Sequence, residues 1–235
     1  MPSNARFPLT AEGGDTAAIL WHEFQESDGE VESVSLSLAV KTSEMEEWSF
    51  FEEAIGPYNY EGEMVSIASL AVTDEGEVFV AAAGTGQKID IFTHEAESDG
   101  GEEENSEREA ESDGTEADTK DPEDSFEGGG FIQTGTAGKV GAAEITVAPR
   151  LFAKEDGGLL LFVTSPFGVS ELSQIGAGSL GISYSTSSDG REWNEFFPLA
   201  RGADLSYIYL PHHVSYKGSE YVVFQASPSE SRFFQ

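Results

Sequence analysis

Carboxylates are the most abundant side chains in this sequence that could do chemistry. The chain has 44 Asp and Glu against 12 Lys and Arg, and 16 of the acids fall between Glu95 and Glu127. Oxygen ligands suit Ca²⁺, but Asp113 to Asp118 lacks EF-hand spacing, so we expect only weak, diffuse Ca²⁺ binding there. Among so many acids, no two can be singled out as the paired carboxylates of a glycosidase.

The imidazole side chains do not form a metal-binding pattern. His212 and His213 are adjacent in a predicted strand, where successive side chains point to opposite faces, so the two cannot hold one ion together. His22 and His94 are isolated, and the chain has no Cys. We therefore expect no transition-metal site, no thiolate nucleophile and no cofactor.

Four segments of the chain share one pattern: an extended run, a polar turn and a very apolar run. Equivalent positions of the repeats are residues 8, 69, 149 and 211, which are 61, 80 and 62 residues apart. The middle interval is longer by about the size of the acidic stretch. A period near 60 residues, with four short strands per unit, predicts the four-stranded antiparallel blades of a β-propeller.

The repeats predict an all-β fold with about three and a half blades, in a single domain over residues 1–235. Glu46 to Ala54 has a composition that also suits a helix, but the blade alignment makes it a strand. The predicted bounds are 6–56, 65–137 and 144–201, with a fourth blade of two strands from residue 207. The second of these two strands, Glu220 to Ser227, would leave an apolar backbone edge unpaired. We therefore expect a longer chain, a partner or a second copy to complete that sheet.

The acidic stretch, residues 95–127, is an insertion in blade two. It lies between a predicted strand at Ile89–Thr93 and another that begins at Phe131. Its 16 acids and two bases contribute −14 to the net charge of −32. It has few apolar residues and cannot bury a core, so we expect it to be disordered and dispensable for folding.

A hairpin in blade three carries the clearest local motif. Asp189-Gly190 favours a tight turn, because Gly accepts a positive φ and the Asp side chain caps the turn. In blade one, Thr42 to Trp48 aligns with this motif but has Glu and Met in place of Asp and Gly. We expect Trp48 and Trp193 to pack over their turns as structural residues. The motif in blade three is Ser187-Ser188-Asp189-Gly190-Arg191-Glu192-Trp193.

The Ser-x-Asp-Gly-x-x-Trp pattern of this segment resembles the Asp-box, or BNR, repeat of sialidase-like β-propellers. The resemblance implies a propeller fold and a structural role for Ser187, Asp189, Gly190 and Trp193, on the rim away from the ligand pocket. It also implies a secreted, periplasmic or cell-surface protein, although Met1 to Arg6 contains no apolar signal core.

Arg6-Phe7-Pro8 resembles the Arg-Ile-Pro motif of sialidases, whose Arg binds the substrate carboxylate. The resemblance implies ligand binding by Arg6 and by Arg150, although Arg150 follows a Pro rather than preceding one. Sialidases use three such arginines, a Tyr–Glu nucleophile pair and an acid/base Asp. Here only four arginines lie in predicted ordered regions, and one of them sits in the turn: Arg6, Arg150, Arg191 and Arg201.

The net charge restricts the classes of partner. Outside the insertion the chain still carries 28 acids and 10 bases, or −18, so the whole surface is acidic. Nucleic acids and anionic membranes are bound through basic patches, and no apolar run approaches the length of a membrane span. We therefore expect no nucleic acid and no membrane insertion, and a protein or carbohydrate ligand instead.

Three functions follow as hypotheses. The first is a non-catalytic propeller for binding or assembly, which the incomplete sialidase set favours. The second is a sialidase-like glycoside hydrolase or lyase whose active site is completed by residues outside this chain. The third is a surface protein adapted to high salt, with acids on every exposed face. The first two differ in whether Arg6 and Arg150 point into one central pocket beside a Tyr and a Glu.

Overall fold

A computed structural model gives the fold of residues 5–27, 30–59, 67–83, 88–94, 130–137, 147–166, 180–201, 207–217 and 219–227, with the turns between their strands. Within these ranges every regular element is a β-strand. No helix in them has the length and hydrophobicity needed to cross a membrane. The acidic insertion and the Gly- and Ser-rich loop at 167–179 lie outside the described residues.

The strands follow one another in chain order, and within each unit consecutive strands pair antiparallel. They are β1 (Ala5–Gly13), β2 (Thr16–Ser27), β3 (Glu30–Thr42), β4 (Ser49–Asn59), β5 (Ala68–Val72), β6 (Val78–Ala83), β7 (Ile89–His94), β8 (Phe131–Ala137), β9 (Val147–Ala153), β10 (Leu159–Pro166), β11 (Leu180–Ser187), β12 (Phe197–Arg201), β13 (Tyr207–Tyr216) and β14 (Ser219–Ser227). The segment with helical composition therefore forms a turn and the start of β4.

The strands form four antiparallel units that correspond to the predicted blades. Strands β1 to β4 form blade one and β5 to β8 form blade two, each paired in sequence order. In blade three, β10 pairs with β9 and β11, and β12 pairs with β11. Strands β13 and β14 form a hairpin, joined to β11 by a parallel bridge between Leu180 and Tyr207. The all-β propeller fold with about three and a half blades is confirmed.

The hydrophobic core lies between the blades, and β6 shows why. Successive residues of a strand point to opposite faces of the sheet. Val78, Val80 and Ala82 belong to the core cluster shared with blade one, whereas Phe79 and Ala81 belong to the cluster shared with blade three. A middle blade is covered on both faces, so its second strand is apolar without interruption.

Candidate functional site

A cleft of about 460 Å³ lies where the first strands of the four units, β1, β5, β9 and β13, approach one another. Small-molecule sites commonly have volumes of this order. The lining residues come from the second halves of these strands and from the turn after β9. They are Leu9 to Glu12, Ser69 to Val72, Arg150 to Ala153, Glu155, His212, His213 and Ser215.

A buried side chain ties two of these inner strands together. The backbone N–H of Leu151 donates a hydrogen bond to Ser69 Oγ, with N and Oγ 2.9 Å apart. Ser69 is 6% exposed and lies in β5, so the hydroxyl links blade two to blade three at the propeller axis. This bond fixes β9, and with it the neighbouring Arg150, relative to the rest of the cleft. In the sequence, Ser69 stands out only as a polar residue within an apolar strand.

Arg150 is the cationic side chain of the cleft wall. It is half-buried, and its Nε is buried without a hydrogen-bond partner among the residues that the structure describes. The neighbouring Phe152 ring lies 6.5 Å from the His212 ring and 5.9 Å from the His213 ring, between centroids. Nε2 of His213 in turn contacts the Glu220 carboxylate. The wall therefore combines a guanidinium donor with an aromatic and imidazole surface.

Two carboxylates complete the polar lining of the cleft. Glu12 lies near the end of β1, the inner strand of blade one, and Glu155 lies in the turn after β9; both are exposed. They supply hydrogen-bond acceptors, while Arg150 supplies donors. The cleft can thus bind a ligand that carries both hydroxyl and carbonyl or carboxylate groups.

Arg6 lies outside this cleft. Its side chain is exposed, and its Nη1 donates to the backbone carbonyl of Ala5 at 3.0 Å. The pairing of β1 with β2 is irregular between Arg6 and Leu9, where Phe7 has a φ of 50°. Arg6 and Arg150, paired by the sequence resemblance, do not share the cleft walls. Arg191 lies in the β11–β12 turn, also outside the cleft, and nothing is described of the Arg201 side chain.

His22 has a structural role that sequence reasoning missed by treating it as isolated. It is fully buried in β2, and its Nε2 accepts a hydrogen bond from the N–H of Ile67 at 3.1 Å. Burial lowers the pKa of His22 to about 4, against an opposing hydrogen bond with the Phe7 backbone. The neutral ring therefore anchors the start of blade two to blade one. Burial also lowers the pKa of His94, whose ring contacts Phe51 and Phe131.

The turn Ser187–Trp193 is closed by its own side chains. Ser187 Oγ accepts from the Gly190 N–H at 2.9 Å and donates to Asp189 Oδ1 at 3.1 Å. Asp189 Oδ1 also accepts from the N–H groups of Arg191 and Glu192, at 2.9 and 3.1 Å. These two N–H groups, and then the Ser187 hydroxyl, hold the pKa of Asp189 below its usual value. Trp193 Nε1 donates to the Gly190 carbonyl at 3.0 Å.

The same turn rests against blade two, which the sequence did not predict. A Cβ atom on Gly190 would lie 2.9 Å from Phe79 Cδ1, and closer still to Cε1 of that ring. On the outermost strand of blade two, a Cβ on Gly135 would lie 2.7 Å from the Gly190 carbonyl oxygen and 2.8 Å from that of Arg191. Trp193 packs against the core cluster between blades two and three. The turn is therefore an inter-blade contact.

The aligned turn of blade one, Thr42 to Trp48, is held differently. Ser43 donates to Asp15 twice, from its N–H to the Asp15 carbonyl and from its Oγ to the carboxylate, both at 3.0 Å. The Met45 N–H donates to the Thr42 carbonyl at 3.2 Å. Trp48 is half-buried just before β4. Here Asp15, in the β1–β2 turn, contributes the carboxylate that the segment itself lacks.

No group of three or more His, Asp or Glu able to hold a metal ion occurs among the described side chains. The insertion, for which we expect weak Ca²⁺ binding, lies outside them.

No family model and no curated relative matches this sequence. Among solved structures, the chain is similar to a Trypanosoma rangeli sialidase in complex with 2,3-difluorosialic acid, with a TM-score of 0.51 and 9% identity over 93% of this chain and 34% of the sialidase. A Cellvibrio cellulosa α-L-arabinanase matches with a TM-score of 0.47 and 11% identity over 96% of this chain and 69% of its own. A Bacillus licheniformis GH43 endo-arabinanase matches with a TM-score of 0.40 and 13% identity over 94% and 73%. At such identities the likeness to the sialidase shows the propeller fold alone, and this chain spans about a third of that enzyme.

Proposed function

We propose that this chain is a non-catalytic β-propeller module that binds carbohydrate in the cleft between its inner strands. The observation that carries the proposal is Arg150, a half-buried residue of β9 that lines the cleft. Its guanidinium group carries several N–H donors and no acceptor. As a lining residue, Arg150 can donate hydrogen bonds to the oxygen atoms of a ligand in the cleft.

The chemistry of the cleft wall supports a carbohydrate over a protein segment as the ligand. Sugars present many hydroxyl groups, each of which donates and accepts, and the wall offers donors on Arg150 and acceptors on Glu12 and Glu155. Phe152 and His212 add apolar ring surface for the C–H faces of a sugar. The volume of about 460 Å³ is that of a small-molecule site rather than of a protein interface.

The test is a glycan array with labelled protein, followed by titration calorimetry with the strongest-binding glycan. Arg150→Ala should weaken binding about 10- to 100-fold, since a charge-assisted hydrogen bond contributes roughly 1.5–3 kcal/mol. Arg191→Ala is the matched control, because it removes an exposed arginine from the turn and should leave affinity unchanged. Binding to no glycan, or equal affinity for the Arg150→Ala variant and the wild type, would contradict the proposal.

A protein ligand is the alternative occupant of the cleft. A protein that binds this chain, is not displaced by excess free glycan and is lost with Arg150→Ala would favour that alternative over a carbohydrate.

The second candidate function is a sialidase-like glycoside hydrolase or lyase, which the propeller likeness to a sialidase favours. Against it, Arg6 lies away from the cleft that Arg150 lines, so the arginines expected to bind a carboxylate are not brought together there. Fluorogenic aryl sialosides and arabinofuranosides test this candidate. Turnover that is lost with Glu155→Gln or Glu12→Gln would establish catalysis, and no turnover is expected.

We also propose that Ser187–Trp193 is an Asp-box with a structural role, and that Thr42–Trp48 is a degenerate copy of it. The bonds that Ser187 and Asp189 make within the turn, and the position of Gly190 against Phe79, support this role. None of the turn's residues is among those that line the cleft.

A further inference from the structure

The last hairpin, β13–β14, exposes four large apolar side chains on one face. Val214 pairs with Tyr221 across the hairpin, and Tyr216 and Val223 lie two residues further along their strands, so all four point to the same side. The exposed fraction is 49% for Val214, 51% for Tyr221, 58% for Tyr216 and 60% for Val223. We call this set the hairpin face. Lys217, at the turn, lies with its Nζ 5.1 Å from the centre of the Tyr216 ring.

The opposite face of the same hairpin is already occupied by blade three. Val222 packs against the core cluster of Leu160, Phe162 and Ile182. On the same side, the His213 ring contacts Phe152. On the side of the hairpin face, His212 pairs with Val223 and its ring lies 6.5 Å from the Phe152 ring, between centroids. The four apolar side chains of the hairpin face remain about half exposed or more. This side corresponds to the side on which each earlier blade is covered by its successor.

The charge of the hairpin differs from that of the rest of the chain. Residues 207–227 contain one base, Lys217, and one acid, Glu220, so their formal charge is zero, whereas the whole chain carries −32. Two copies that met through any acidic surface would repel each other, and more so at low salt. Glu220 pairs with Ser215 and lies on the other face, and the base beside the hairpin face, Lys217, lies over the Tyr216 ring. Two copies can therefore approach through the hairpin face without placing carboxylates of this hairpin in the contact.

We propose that a second copy of this chain docks on the hairpin face, face to face and related by a two-fold axis. In such a contact the same surface is used by both subunits, so it closes at a dimer. Face-to-face docking places the partner on the side away from blade three. Antiparallel edge-to-edge pairing of the β14 strands of two copies would instead form one continuous sheet. Blade three of each copy would then lie on the same side of that sheet, and the two blades would compete for space.

The size of the face sets the strength expected of the dimer. The two tyrosines, each about half exposed and each able to bury 150–250 Å², contribute on the order of 200 Å² per copy. Stable dimers bury about 800 Å² per partner. The contact is therefore weak and concentration-dependent, with a dissociation constant in the micromolar range or above, and it strengthens as salt screens the charge elsewhere.

Sedimentation velocity of the full chain over a concentration series tests the proposal. Wild type should shift from monomer to dimer, and Val223→Glu and Tyr221→Glu should raise the dissociation constant at least about tenfold, because each places two new negative charges in an apolar contact. Phe50→Glu is the matched control: it replaces a 67% exposed apolar residue of blade one and makes the same charge change. Its dissociation constant should equal that of wild type.

Crosslinking gives a second measurement that does not depend on how well the glutamate variants fold. The chain has no Cys, so Val223→Cys introduces a single reactive thiol. A short bis-maleimide should join two Val223→Cys chains and should not join two Phe50→Cys chains. A wild type that stays monomeric to about 1 mM at high salt would overturn the proposal. Three other results would also overturn it. Phe50→Glu could raise the dissociation constant as much as Val223→Glu does, the Val223→Cys and Phe50→Cys variants could crosslink equally, or the assemblies could grow beyond the dimer.

Discussion

Gly190→Ala is the substitution for which the structure gives the most specific expectation. Gly190 has a φ of +73°, and a Cβ at this position would lie 2.9 Å from Phe79 Cδ1 and 3.3 Å from Leu159 Cδ1. The left-handed conformation costs an L-residue roughly 1–2 kcal/mol. Forcing a methyl group into a packed core costs roughly another 1–3 kcal/mol, because Phe79 is only 3% exposed and cannot move freely.

Gly157→Ala is the matched control that separates these two costs. Gly157 also has a left-handed φ, +80°, in the β9–β10 turn. Its Cβ would lie 3.4 Å from a carboxylate oxygen of Glu75, a flexible side chain at ordinary contact distance. Gly157→Ala should therefore show the backbone cost alone. Any gain from a stiffer unfolded chain is common to both variants and cancels in their difference.

Urea unfolding followed by tryptophan fluorescence measures both variants. The free energy of unfolding should be lower for Gly190→Ala than for Gly157→Ala by about 1–3 kcal/mol, or about 2–12 °C in melting temperature for a chain of this length. Phe79→Leu removes the ring atoms nearest Gly190. The double variant Phe79→Leu/Gly190→Ala should therefore lose less free energy of unfolding than the two single variants lose in total. Equal stability of the two alanine variants, with additive behaviour of the double variant, would refute the inter-blade contact.

Two further outcomes follow from the described side chains. Trp193→Ala should lower the free energy of unfolding by about 2 kcal/mol. This is less than the roughly 3–5 kcal/mol expected for a fully buried ring, because Trp193 is half-buried. A variant with full stability and lost glycan binding would show instead that the turn is a ligand site. The pKa of His22 is lowered from about 6.5 to about 4 in the folded protein. As the pH falls from about 6.5 towards 4, the unfolded chain therefore binds a proton at this histidine and the folded protein does not. The free energy of unfolding should drop by about 2 kcal/mol at pH 5. His22→Gln should remove that part of the pH dependence in urea titrations at pH 7 and pH 5, and an unchanged dependence would show that His22 is not its source.

The sequence predicted the strand order because the period of a strand and the chemistry of a tight turn are local properties. Alternation along Leu180–Ser185 and the Asp189-Gly190 pair need no distant contact to specify a hairpin, and the same turn bonds appear in the structure. The repeat spacing predicted four-stranded units because about 60 residues are enough for one meander of four short strands with their turns. The same repeat predicts that Glu46–Ala54 is not helical, and the structure confirms this with a turn followed by the start of β4.

The site was less accessible to sequence reasoning, because it depends on which residues of separate blades meet at the axis. Arg6 lies two residues before repeat position 8, whereas Arg150 lies one residue after the equivalent position 149, and of the two only Arg150 lines the cleft. The pairing of β1 with β2 is irregular between Arg6 and Leu9, and no local pattern in the sequence predicts that irregularity. Ser69 and His22 appear in the sequence as polar residues within apolar strands, and their roles as inter-blade hydrogen-bond acceptors depend on Leu151 and Ile67, 82 and 45 residues away.

By itself, the sequence determined the elements of this protein: the strands, their turns, the blade period and the acidic character, all of which arise from neighbours along the chain. The tertiary structure alone decided how the blades face one another, and with that the burial of Gly190 against Phe79, the place of Arg150 in the cleft wall and the exposed hairpin face around Val223. Packing of one sheet on another follows from shape and burial across the whole chain, and those contacts have no signature within any single stretch of residues.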